Sequence, residues 1–164
     1  MTKDLKKYFG GDYSEKPVKK IERKYGPEKV KDDEFCQSLG FEPYDRNGAL
    51  NLIKEYFYNQ RIYFDTNLFR QTSDRIRKIS PKCWFDKEIA LEAIKVSGHF
   101  LDYAADELKE DLDFITQAIE ICKVDAFDYI QEPWISDKKV MLDAIRLDED
   151  CYGRASDELQ KDKD

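Results

Sequence analysis

Residues 86–113 read DKEIALEAIKVSGHFLDYAADELKEDLD, and residues 137–164 read DKKVMLDAIRLDEDCYGRASDELQKDKD. Laid over each other at an offset of 51, they agree at eleven of 28 positions, among them Asp86/Asp137, Leu91/Leu142, Ala93/Ala144, Ile94/Ile145 and the run Asp106-Glu107-Leu108 over Asp157-Glu158-Leu159. Between the identities the exchanges keep packing class and charge, as in Ile89/Val140, Glu92/Asp143 and Lys95/Arg146. Self-similarity at a fixed offset is the signature of a repeat architecture. A middle unit fits at half the offset, with Asp111, Phe114, Ala118 and Ile119 over Asp86, Ile89, Ala93 and Ile94. After one inserted residue, Asp128-Tyr129 lies over Asp102-Tyr103. Three units follow, 86–110, 111–136 and 137–164, with a period of 25 to 26 residues.

Each unit reads as a short helix pair. The leading aspartate can cap the first helix, after which apolar residues recur at helical spacing, as in Ile89, Ala90, Ala93 and Ile94. Gly98 is expected to close that helix, and a second to follow through Leu101, Ala104, Ala105 and Leu108. In the middle unit Pro133 should cut the second helix short, since proline lacks the amide and clashes with the preceding turn. Units this small cannot bury an apolar face alone. The expected fold is therefore all-α, short helix-pair repeats stacked into a small array, right- or left-handed, with an irregular helical N-terminal region. Trp84, Trp134 and Tyr152 fall at unit junctions, where large rings lock a stack or anchor a partner, and Pro133-Trp134 has the better claim to exposure.

Upstream, residues 47–85 read as a helical cap, with Asn47 opening a helix that turns Leu50, Ile53, Tyr56 and Phe57 inward, and a second helix from about Thr66 to Ile79. Residues 1–46 are basic and broken by Gly10-Gly11, Pro17, Gly26-Pro27 and Gly40, leaving room for short helices at Val18–Tyr25 and Asp33–Leu39. Charge is divided along the chain: 10 Lys/Arg against 5 Asp/Glu in 1–31, 8 against 8 in 32–85, and 10 against 22 in 86–164. The net of −7 thus resolves into +5, 0 and −12. Such asymmetry bears on partners, not on fold. Cys36, Cys83, Cys122 and Cys151 are too scattered for a C-x-x-C pair, and read as reduced thiols of a cytoplasmic protein. No apolar run approaches the length of a membrane span.

The segments Asp-Lys-Glu-Ile-Ala-Leu-Glu-Ala-Ile-Lys and Ser-Gly-His-Phe-Leu-Asp-Tyr-Ala-Ala-Asp-Glu-Leu-Lys of the first unit resemble the repeats catalogued as domain of unknown function 4116. That pattern has an Asp-led helix, an Asn-Gly turn and then Ala-Leu-x-Tyr-Ala-Ser-x-Glu-Leu-Lys. Ser97-Gly98 and Leu101 to Lys109 match it well, Arg154 to Gln160 in part, and the middle unit departs at Lys123-Val124 and Pro133. The resemblance covers residues 86–164 and implies a helical array. It brings no catalytic residues.

No constellation carries the signature of a reaction. His99 is the only histidine, so a hydrolase with a Ser-His-Asp or Cys-His arrangement would have to pass through it, yet it sits in a repeat turn. Four scattered cysteines and one histidine lack zinc-ligand spacing, and Asp148-Glu149-Asp150 lacks the alternating oxygens and central glycine of a calcium loop. Gly10-Gly11 has no Lys-Ser/Thr behind it, and no cofactor pattern is present. Lys19, Lys20, Arg23 and Lys24 beside Tyr25, and Arg70, Arg75, Arg77 and Lys78 beside Phe69, are too interrupted by acids for a nucleic-acid arm. A stack of repeats would instead align carboxylates. The expectation is a non-enzymatic protein-binding module, with Asp102, Asp106, Glu107, Asp128, Glu132, Trp134, Asp157 and Glu158 facing a protein partner with a basic surface. One alternative is a small acidic inhibitor, of phage or mobile-element type, that blocks a nucleic-acid-binding host defence enzyme by mimicking nucleic acid. A solvated helix face accounts for the same residues, and an uncovered end-unit would allow a homodimer.

Overall fold

The computed structural model describes residues 17–62, 75–76 and 78–161, without the side chains of 17–20 and 57–62. Among these residues the regular elements are α- and 3₁₀-helices and there is no strand, so the fold is all-α. The chain divides into two compact units, 1–89 and 90–164.

In the first unit, carboxylates satisfy the amides that helix starts leave without partners. Helix α1 (Pro17–Tyr25) begins on a proline, whose missing amide is no loss at that position. Helix α2 (Asp33–Ser38) is capped by Asp32, which accepts from the Phe35 amide at 3.0 Å. Gly40 follows with φ +90°, the left-handed geometry that glycine adopts without strain. Helix α3 (Arg46–Ile62) starts ahead of Asn47, the expected cap. Its cap is Asp45, whose Oδ1 accepts from the Gly48 amide at 2.9 Å, and Asn47 lies already inside the first turn. Leu50, Ile53 and Tyr56 are buried as the periodicity predicts. The Phe57 side chain, with Phe69, Arg70, Arg77 and most of the helix expected over 66–79, lies outside what the structure describes.

Asp33 ties the connections of this unit together, accepting from the Tyr44 amide at 2.9 Å and from the buried Ser80 hydroxyl at 3.0 Å. The 3₁₀ segment Pro81–Phe85 then buries Cys83 and Trp84. Helix α4 (Lys87–Val96) follows, capped by Asp86, which accepts from the Glu88 and Ile89 amides at 3.0 and 3.1 Å. Arg46 donates to Asp86 at 2.7 Å and also to Glu88.

The second unit repeats one sequence of elements. After α4 come the 3₁₀ segment Gly98–Tyr103 and helix α5 (Asp106–Lys109). Fifty-one residues later α7 (Lys138–Leu147), the 3₁₀ segment Glu149–Arg154 and α8 (Asp157–Lys161) begin in the same register. Between them lie α6 (Leu112–Cys122) and the 3₁₀ segment Lys123–Asp128. Where the outer units have α5 and α8, the middle one has a turn at Glu132-Pro133 and the 3₁₀ segment Trp134–Ser136. Asp111 caps α6 through the Asp113 amide at 2.8 Å, and Asp137 caps α7 through the Val140 amide at 2.9 Å.

Helix α6 packs on the 3₁₀ segments before and after it, and α7 likewise on Lys123–Asp128 and Glu149–Arg154. The three 3₁₀ segments lie side by side in chain order. Phe114, Ile115, Ala118, Ile119, Met141 and Ala144 form the centre of the core beneath them. Burying one such large side chain contributes about 1.5–3 kcal/mol.

Two expectations need correction. The second helix of the first unit is not continuous from Leu101 to Leu108: Ala104 and Ala105 are extended, with ψ near 141° and 151°, and separate a 3₁₀ segment from α5. Both alanines are buried, so close packing at that bend sets the backbone against the helix propensity of the sequence. Nor does Gly98 end α4 by a left-handed residue, since its φ is not positive. What requires glycine is space, because a Cβ there would lie 3.3 Å from the Cys122 Sγ.

Candidate interaction surface

Part of the negative charge of the second unit is committed to backbone. Asp111, Asp137 and Asp148 each accept amides at the start of a helix, so they are structural first and electrostatic second. Exposed carboxylates are spread along the unit, from Asp113 and Glu120 to Glu149 and Asp150, and include those of the short second elements. Asp106 and Glu107 form the first turn of α5, and Asp157 and Glu158 that of α8, where the exposed amides favour negative charge. Glu132 is exposed in the intervening turn and accepts from the Ser136 hydroxyl at 2.7 Å.

Two bonds bring these three elements together. The Trp134 indole N–H donates to the Lys109 carbonyl at 2.7 Å, joining Trp134–Ser136 to the end of α5. The Ser156 amide donates to the Ile135 carbonyl at 2.9 Å, joining the same segment to the start of α8. Asp106, Glu107, Glu132, Asp157 and Glu158 therefore sit on neighbouring elements. Trp134, expected to project, is half-buried against the core and holds the edge in place.

Asp102 and Asp128 are placed differently. Asp102 is half-buried, with the Lys109 ammonium donating to its backbone carbonyl at 3.1 Å and standing 4.0 Å from its carboxylate. Asp128 is exposed on the middle 3₁₀ segment, 2.8 Å from the Arg154 guanidinium on the next. An exposed pair of this kind stabilises by about 0–1 kcal/mol, so its effect is to lower the charge of that rib.

His99 lies among aromatic rings, edge-on to Tyr103 and Tyr129 at 5.7 Å each, with Nδ1 3.4 Å from the Tyr129 hydroxyl. The Cys122 thiol, close to Gly98, faces the Ile94 carbonyl at 3.7 Å, and burial together with the charge of Asp125 pushes it up to about 11. A nucleophilic thiol needs the opposite shift. Among the described residues no group of three or more His, Cys, Asp or Glu side chains could hold a metal ion, and no helix is long and apolar enough to cross a membrane. In the first unit, Lys24 lies over the Tyr25 ring at 5.0 Å and Arg75 stands 3.5 Å from Glu55.

Sequence reasoning missed a groove of about 380 Å³ between α6 and α7, rimmed by Leu112 and Leu147 at 46% and 49% exposure. Its signal was present: Leu112 stands where the other units place Lys87 and Lys138, an apolar residue at an otherwise charged position.

The family described as Domain of unknown function (DUF4116) matches residues 86–133. The match takes in the first unit and most of the divergent middle one, and stops short of the third, to which the resemblance had been extended. No curated protein and no solved structure matches the chain.

Proposed function

We propose that this protein is a non-enzymatic binding module whose acidic edge engages a basic surface on a protein partner. The observation that carries the reading is the alignment of exposed Asp106, Glu107, Glu132, Asp157 and Glu158 on three elements joined through Trp134 and Ser156. Neighbouring like charges on a fixed frame steer encounter with an opposite surface more than they add affinity. The raised thiol of Cys122 and the aromatic surroundings of His99 favour binding over catalysis.

Affinity capture from cells, quantified by mass spectrometry, tests this with the native chain and with Asp106→Lys/Asp157→Lys. The paired reversal should deplete specific partners at least tenfold. Partners unchanged by it would overturn the reading. If the captured partner is a nucleic-acid enzyme and DNA displaces it with a steep salt dependence, the edge acts as a nucleic-acid mimic. His99→Ala should leave binding and biological effect intact.

A further inference from the structure

Thr116 of α6 and Val140 of α7 line opposite walls of the α6–α7 groove. One unit earlier the same two positions hold Leu91 on α4 and Phe114 on α6. There Phe114 is 0% exposed and Leu91 packs against the same core. An isobutyl and a phenyl group have thus been exchanged for a hydroxyethyl and an isopropyl group, and the volume they gave up is open between the helices. Side chains bordering such a gap lose the contacts that close packing supplies elsewhere. The walls are nonetheless apolar, because the Thr116 hydroxyl donates to the Leu112 carbonyl of its own helix at 2.8 Å, and Ile119 and Ala144 continue the lining.

The charges at the rim are of two kinds. Asp137 caps α7 and Asp143 pairs with Arg146 at 2.7 Å, so these groups are occupied. The exposed side chains of Lys139 and Glu120 have no hydrogen bond or ion pair with another described residue. Lys139 lies in the first turn of α7, and Glu120, on the other wall, in the last turn of α6. Glu120 is the repeat equivalent of Arg146, seven residues after Lys139. Along the direction shared by the two helices the opposite charges are therefore about 10 Å apart.

We propose that this groove receives an amphipathic helix of a protein partner. Its apolar face supplies the aromatic and aliphatic side chains that Val140 and Thr116 lack, and its flanking charges set an acid toward Lys139 and a base toward Glu120. Residues at i, i+3, i+4 and i+7 share one helix face, and seven residues of helix rise about 10 Å. The partner helix thus carries an acid at i, an aromatic and an aliphatic residue at i+3 and i+4, and a base at i+7. Anchors at such spacing are how a helix is read by an apolar groove. The order also complements the helix dipole, with the acid nearer the start and the base nearer the end. The groove is built from the first helices of the units, not from the acidic edge, and the inference does not rest on that reading.

Fluorescence anisotropy with the full chain and a labelled alanine-based peptide of about 15 residues, carrying Glu, Phe, Leu and Lys at those four positions, tests it. Saturable binding is expected. Thr116→Leu/Val140→Phe, which restores the side chains of the earlier unit, should weaken it at least tenfold. A peptide with Glu in place of Lys at i+7 should bind about two- to fivefold more weakly, and Glu120→Lys should recover the loss. Should the filled variant lose its helical circular dichroism, Leu147→Glu, at an exposed rim position, takes its place with the same expected loss. No saturable binding up to millimolar peptide, binding undiminished in the folded groove variant, or a charge change that Glu120→Lys does not recover would each overturn the proposal. So would a doubled mass in light scattering that filling the groove returns to one chain, since the groove would then hold a second copy.

Discussion

The indole N–H of Trp134 donates to the carbonyl of Lys109 across 2.7 Å, linking two elements 25 residues apart at a place where the middle unit has lost its second α-helix. The bond substitutes for helix packing. Trp134→Phe keeps most of the ring but leaves a half-buried carbonyl unpaired, at a cost of about 1–3 kcal/mol. Urea unfolding followed by circular dichroism should show the loss, and an unchanged midpoint would mean that water replaces the indole.

Lys123 holds φ +54° and ψ −133°, where the first unit has Gly98. A non-glycine residue in such a region costs about 1–3 kcal/mol, and the entropy of glycine returns about 1 kcal/mol of that. Lys123→Gly should therefore raise the melting temperature. A lower one would show that the lysine side chain contributes more than its backbone costs.

Gly98→Ala places a methyl 3.3 Å from the Cys122 Sγ, tighter than ordinary contact. Overpacking of this kind costs about 1–3 kcal/mol. Shortening the opposing side chain should relieve it. In a double-mutant cycle with Cys122→Ala, the two substitutions should couple, and strict additivity would contradict a direct clash.

Burial works against the charged form of Asp86, but the Arg46 guanidinium and the Ile89 and Glu88 amides outweigh it and hold the carboxyl below its usual range. A lowered folded-state pKa gives stability that is present above the unfolded value, near 4, and is lost as pH falls through the folded one. Asp86→Asn should melt below the native chain at pH 7, and the difference should close under acid. A gap that persists at low pH would place the effect in packing.

The caps were legible because an aspartate before a helical apolar pattern has a local task, and Asp86, Asp111 and Asp137 recur at a fixed period. Asp45 was missed in favour of Asn47, two residues on, since both can cap and only backbone geometry decides between them. The bend at Ala104-Ala105 was not legible: alanine is the strongest helix former, and burial of both residues overrides it. The acidic edge was legible as composition. Its arrangement depends on Trp134 reaching Lys109 and Ser156 reaching Ile135, contacts between units that no local pattern encodes. Asp128 was expected to present its charge outward, and its pairing with Arg154 requires adjacent 3₁₀ segments, which the expected helix pairs did not include.

The two tryptophans of the chain are divided between its compact units, Trp84 in residues 1–89 and Trp134 in residues 90–164. Trp84 is shielded from solvent and Trp134 only in part, so their emission differs in colour as well as in origin. Replacing either by phenylalanine gives a fluorophore that reports on one unit alone, and comparing the two single-tryptophan melts would reveal whether the chain unfolds as one cooperative body or as two.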